Sequence, residues 1–169
     1  MTAASLFDEH LRAIFKHIFC DLEYVRLVQP QNRLSASKGE NMKDLELYYC
    51  PYCGKIIAVI KKTNVPTVCC GMPMQHIVPG TVDASIEKHV PVIKKIGNSV
   101  IVSIGSEEHP STDDHYIQWI VLLTSKGLHA RSIRPGERPR AIFLLNENED
   151  VHAAMEYCNL HKLWRKDVA

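Results

Sequence analysis

Val90-Pro91-Val92-Ile93-Lys94-Lys95-Ile96 and Val100-Ile101-Val102-Ser103-Ile104 are two short runs rich in β-branched side chains, with Gly97-Asn98 between them as a hairpin signal. The pattern continues downstream. Tyr116 to Leu123, Leu128 to Ile133 and Ala141 to Leu145 are further β-rich runs, and Arg134-Pro135-Gly136-Glu137-Arg138-Pro139 breaks the chain before the last of them. Closely spaced strands with no long helix between them argue for an antiparallel sandwich or barrel. No internal repeat or low-complexity tract interrupts this reading.

Upstream of the strands, Tyr48 to about Pro79 forms a cysteine-bearing unit, in which Ile56-Ile57-Ala58-Val59-Ile60 and Thr67-Val68 are β-rich. Residues 5 to 28 place Leu6, Leu11, Ile14, Phe15, Ile18, Leu22 and Val25 mostly at steps of three and four, which suggests an amphipathic helix. A polar linker runs from Gln29 to Asn41. Two readings of residues 1–41 stand. In one they are an N-terminal helical extension; in the other Met42 is the physiological start and the preceding residues are upstream DNA read in frame, since Lys38-Gly39-Glu40 can be encoded by a good bacterial ribosome-binding site.

The chain has 169 residues, enough for one main core plus a small module and too few for a large multidomain enzyme. With 20 Lys and Arg against 19 Asp and Glu, the net charge is +1, so no global field gathers nucleic acid or an anionic membrane. No segment approaches membrane-spanning length, and the apolar N-terminal stretch is interrupted by Lys16 and His17, unlike a secretory signal. A cytoplasmic location is the expectation. There, six Cys and nine His suggest metal ligands before disulfides.

Cys50-Pro51-Tyr52-Cys53 is followed after fifteen residues by Cys69-Cys70-Gly71. Four thiolates form a tetrahedral site that suits zinc or a single iron, and a structural zinc ribbon is the bland reading. The vicinal pair departs from the usual second knuckle and strains the chelate; a disulfide framework is the third option. Cys20 belongs to no spaced set. Downstream stand Glu87-Lys88-His89, His109-Pro110, His115-Tyr116 and Cys158-Asn159-Leu160-His161. Taken singly, each has the ordinary explanation of a solvated or structural side chain. Together they offer four imidazoles and one thiolate, a set that suits neither a four-ligand zinc site nor a two-histidine copper site and is closer to a haem iron with an axial thiolate.

These residues resemble the desulfoferrodoxin type of superoxide reductase. The resemblance runs from about Met42 to Lys166 and rests on Cys50-x2-Cys53-x15-Cys69-Cys70-Gly71, Thr81-Val82-Asp83-Ala84, Glu87-Lys88-His89-Val90-Pro91-Val92-Ile93, His109-Pro110, His115-Tyr116-Ile117-x-Trp119-Ile120 and Glu156-Tyr157-Cys158-Asn159-x-His161. It implies an all-β protein: a small desulforedoxin-like, rubredoxin-type domain over residues 42–78, then an immunoglobulin-like antiparallel β-sandwich over 79–169. It also implies two irons, one held by Cys50, Cys53, Cys69 and Cys70, the other by His89, His109, His115 and His161 in the equatorial plane with Cys158 as axial thiolate. Glu87 and Lys88 would lie over the open face. The implied reaction is one-electron reduction of superoxide to hydrogen peroxide without oxygen release, with rubredoxin or a similar donor and a homodimeric assembly. His10, His17, His76, His129 and His152 match no ligand, and His152 is the one whose exclusion most needs checking.

Two rivals remain at this stage. A pure electron carrier would use the four-cysteine iron alone and leave the histidines spectroscopically silent. A zinc-stabilised binding module would be colourless.

Overall fold

Short β-rich runs become strands almost throughout the computed structural model, which describes residues 45–82 and 84–168. In the cysteine-bearing part these are β1 (Glu46–Tyr49), β2 (Ile56–Val59), β3 (Val68–Cys69), β4 (Met72–Pro73) and β5 (Gln75–His76). The single helix among the described residues is α1 (Ile86–His89). It is followed by β6 (Pro91–Ile96), β7 (Ser99–Ile104), β8 (Ile117–Thr124), β9 (Gly127–Ser132), β10 (Arg140–Leu144), β11 (Val151–Cys158) and β12 (Lys162–Asp167). The suggested helix over residues 5 to 28, the linker and Met42 lie outside the described residues.

All pairings are antiparallel. One sheet has the order β10-β7-β6 and the other β12-β11-β8-β9, and together they make the immunoglobulin-like sandwich. The cysteine-bearing part contributes a sheet β2-β1-β5 and the hairpin β3-β4. Gly97-Asn98 is the two-residue turn of the β6-β7 hairpin, because Ile96 pairs with Ser99 and Gly97 takes φ +56°. The last β-rich run read from the sequence is not the last strand. β11 and β12 follow it, and β11 is a central strand of the larger sheet.

The core explains these patterns. Val100, Val102 and Ile104 alternate inward on β7, as do Ala141 and Phe143 on β10, and meet Ile120, Leu122, Ala154 and Cys158 between the two sheets. The other face of the larger sheet is also covered. There Val121, Leu123, Ala153, Met155, Tyr157 and Leu163 share a second cluster with Leu45, Leu47 and Ile77 from the cysteine-bearing part, and Tyr49, Ile56 and Trp119 pack against it. Burial on both faces makes β8 and β11 nearly continuous in buried residues instead of alternating. The described residues belong to one compact unit.

Candidate metal centres

The four cysteines come from two turns. Cys50 directly follows β1, and its loop closes through the Gly54 N–H to the Cys50 carbonyl and the Cys50 N–H to the Lys55 carbonyl, both 2.9 Å. Cys69 pairs with Met72, so Cys70-Gly71 forms the two-residue turn of the β3-β4 hairpin, with φ +51° and +76°. Cys70 occupies a left-handed position that usually favours Gly or Asn. Cys53 Sγ lies 3.7 Å from Cys69 Sγ, which is 3.9 Å from Cys70 Sγ, and all four sulfurs are within 4.8 Å of one another. The backbone N–H of Cys53 draws the Cys50 thiol down to about 7, while hydrogen bonds with the Cys53 and Cys69 thiols push Cys70 up to about 12. Four thiols this close become four thiolates only around a cation.

The second group is assembled from α1, the β7-β8 loop, the end of β11 and the turn into β12 that carries His161. His89 closes α1 and is buried; its Nδ1 lies 2.8 Å from the Ser85 carbonyl oxygen. His109 Nδ1 lies 2.7 Å from the Pro110 carbonyl oxygen. Each Nδ1 therefore carries the proton, and each Nε2 presents a lone pair inward. Those two Nε2 atoms are 3.2 Å apart. Two lone pairs at that separation repel each other, and a cation between them turns the repulsion into ligation. His161 Nδ1 stands 3.0 Å from His89 Nε2 and 3.6 Å from Cys158 Sγ, and the buried Nε2 of His115 has no hydrogen-bond partner. The ligand atoms of all five residues lie within 4.8 Å of one another.

The rings form a square. Successive pairs, His89 with His109, His109 with His115, His115 with His161 and His161 with His89, have centroids 4.6 to 4.9 Å apart and cross at 72 to 82°. His89 and His115, across the diagonal, are 6.4 Å apart at 27°. With imidazoles at all four corners, Cys158 must approach from one side of the plane. It is fully buried in the cluster between the sheets, so that side is the protein core, and among the described residues no sixth donor joins the group.

Electrostatics favour neutral imidazoles. Burial lowers the basicity of His89 and His115 and brings His109 down to about 4. Burial raises the Cys158 thiol, and the backbone N–H groups of His161 and Leu160 oppose that rise. Beside it on β11, burial pushes the unpaired Glu156 carboxyl well above the usual carboxylate range, so it is neutral. Lys88, half-buried on α1, bears on His115: its charge contributes to lowering that imidazole's basicity, after burial and His161. Glu87 is exposed on the same helix, and its own backbone N–H and the Ser85 hydroxyl hold its carboxyl low, hence ionised.

His76, His129 and His152 join neither group. His129 instead pairs with Glu149 at 2.8 Å, and His76 packs against Tyr48. His10, His17 and Cys20 lie outside the described residues. Two supporting residues went unmarked in the sequence. Gly105 lets the β7-β8 loop cross α1, where the Glu107 N–H donates to the Glu87 carbonyl at 3.0 Å. Trp164 stacks on His89 at 5.0 Å and donates Nε1–H to the His161 carbonyl at 3.0 Å. A glycine at a strand end was a readable signal; a tryptophan three residues beyond a ligand was not.

The donor sets fit iron in both places. Four soft thiolates suit a tetrahedral iron, and four imidazole nitrogens with one thiolate exceed tetrahedral zinc and would leave an octahedral ion one open position. Fold and sites thus define a β-sandwich metalloprotein with a thiolate-only iron centre and an imidazole-thiolate iron centre. The family model described as Desulfoferrodoxin matches residues 81–167. The desulfoferrodoxin of Syntrophotalea carbinolica is 42% identical over 123 residues, covering 73% of this chain and 96% of that protein. A superoxide reductase of Thermococcus kodakarensis is 37% identical over 99 residues, covering 48% of this chain and 86% of that protein. The solved superoxide reductase from Treponema pallidum superposes with a TM-score of 0.63 at 31% identity, covering 73% of this chain and 99% of that one. The chain belongs to the desulfoferrodoxin family.

Proposed function

We propose that the chain is a superoxide reductase and that its chemistry occurs at the group of His89, His109, His115, His161 and Cys158. The observation that carries this reading is the square of four imidazoles with the Cys158 sulfur on the core side and, among the described residues, no further protein donor in the group. Superoxide takes up one electron and two protons and leaves as hydrogen peroxide. Bound ferrous iron supplies the electron.

The protein's own groups do the rest. Cys158 would hold the iron through its sulfur, and as a thiolate it would donate electron density that favours the ferric product. Lys88, half-buried on α1 next to His89, would supply a positive charge that attracts a small anion and stabilises negative charge as it builds on oxygen. Protons come from water, which an ammonium at Lys88 can hold and orient. Glu87 is an ionised carboxylate on the same short helix and would be the nearby anionic group able to occupy the open position of a bound ferric ion.

An external one-electron carrier of the rubredoxin kind would supply the next electron. Cys50, Cys53, Cys69 and Cys70 hold the other iron in the small domain, whose boundary we place near residue 78. A homodimer in the cytoplasm is the setting this reading assigns. A carrier using only the four-cysteine centre leaves the five-ligand group without a purpose. No helix among the described residues is long and apolar enough to cross a membrane.

The test is Lys88→Ala in the reduced, iron-loaded chain. Its second-order rate with superoxide should fall by on the order of tenfold at low salt and vary less with ionic strength, with iron content unchanged. An unchanged rate at low salt contradicts the role given to Lys88. Absence of superoxide consumption by the wild-type chain contradicts the function itself.

A further inference from the structure

The ladder between β8 and β11 breaks at a metal ligand. Tyr157 pairs with Trp119, but Cys158 pairs with Ile117, so the register slips by one residue just where the thiolate must be aimed. Asn159, the next residue, takes over where the ladder stops. Its backbone N–H donates to the Tyr116 carbonyl at 3.2 Å, its Oδ1 accepts the Tyr116 N–H at 2.9 Å, and its Nδ2 donates to the Asp114 carbonyl at 2.7 Å. The carboxamide acts as an extra peptide group, with its acceptor and donor set on the two residues that flank His115.

His115 needs that support more than the other corners do. His89 and His109 are each fixed through Nδ1 to a backbone carbonyl, and His161 has Trp164 on its carbonyl. The His115 side chain makes no hydrogen bond among the described residues, and its buried Nε2 has no partner. Its ring direction therefore follows its backbone. One side of that backbone is held by a small turn, in which the Thr112 N–H donates to the His115 carbonyl at 3.0 Å and the His115 N–H donates to the Thr112 carbonyl at 3.2 Å. Asn159 holds the other.

We propose that Asn159 is a positioning residue that couples the Cys158 thiolate to the His115 imidazole, fixing the angle between the axial donor and that corner of the square. The inference rests on the five side chains forming one iron site and is independent of which oxidant meets it. A wild-type chain without iron at this group would remove that premise before any variant is made.

The experiment uses the full iron-loaded chain carrying Asn159→Ala or Asn159→Asp. Two readouts are iron retention at the five-ligand centre against a ferrous chelator and the energy of the thiolate-to-iron charge-transfer band after oxidation. Asn159→Ala should weaken retention by roughly 10–100-fold and shift the band, while the four-cysteine iron keeps its own bands and retention. Asn159→Asp keeps the acceptor for the Tyr116 N–H and should lie between Ala and wild type in both readouts; if the alanine variant does not accumulate, a shifted band with an intact four-cysteine centre in Asn159→Asp carries the test. An unshifted band with unchanged retention overturns the proposal. So does parallel loss of both irons, which marks a general support of the fold, and so does a larger effect of Asp than of Ala, which marks an effect of charge.

Discussion

Gly105 adopts φ +77°, and a Cβ there would come within 2.7 and 2.8 Å of the Glu87 and Lys88 carbonyl oxygens. Backbone lies on all the near sides, so no flexible side chain can yield. Gly105→Ala should cost about 1–3 kcal/mol of stability and push α1 away from the loop bearing His109. Denaturant titration measures the first effect, and loss of iron from the five-ligand centre alone measures the second. Cys158 gives a chemical counterpart. Cys158→Ser exchanges a soft, strongly donating ligand for a hard and mostly protonated hydroxyl, so iron should be retained in part while the charge-transfer band disappears and superoxide consumption falls steeply. His152→Ala should alter neither, as His152 lies outside the group. At this scale the two groups of side chains were legible because spaced Cys and His are chemically conspicuous. Asn159's role was not, because what makes it matter is a pair of hydrogen bonds across the fold, and a glycine at a strand end marks Gly105 without revealing its close approach to α1.

Hairpins and alternating strands were the readable elements. Gly97-Asn98 turns where its residue types require, and β7 and β10 alternate because only one face of their sheet meets the core. β11 was hidden. Ala153-Ala154-Met155-Glu156 has low strand propensity, and its burial on both faces erases the alternation that marks a half-buried strand. Its start is held by a clasp. The side chain of Glu149 accepts hydrogen bonds from the Thr124 hydroxyl at 2.6 Å, His129 Nε2 at 2.8 Å and the Asn146 N–H at 2.9 Å, tying the β8-β9 hairpin to the chain entering β11. These donors, the Thr124 hydroxyl foremost, hold its carboxyl far below the usual range. A depressed carboxyl contributes stability above its unfolded-state pKa and loses it as pH falls toward the folded value. Glu149→Gln should therefore lower the thermal midpoint at neutral pH, and the gap from wild type should narrow as the pH is taken below the ordinary carboxylate range. A gap that stays constant into acid would assign the clasp to packing instead of charge.

The whole unit is bound together by the second core cluster, in which Leu45, Leu47 and Ile77 of the cysteine-bearing part meet β8, β11 and β12 of the sandwich. The two parts should unfold together. Leu47→Ala, which empties a site in this shared cluster, should cost about 2–5 kcal/mol and move the unfolding transition without splitting it, as followed by visible absorption of the four-cysteine iron and by far-ultraviolet circular dichroism. Two separated transitions would mean that the small part folds on its own. The central claim concerns what the square of imidazoles does to superoxide, and product stoichiometry tests it most directly. Reduced, iron-loaded protein is given known amounts of superoxide without oxygen, and hydrogen peroxide and oxygen are both counted. The account predicts one hydrogen peroxide formed for each superoxide consumed, no oxygen released, and one oxidised five-ligand centre per turnover. Oxygen appearing at half the superoxide consumed would show dismutation and contradict the account.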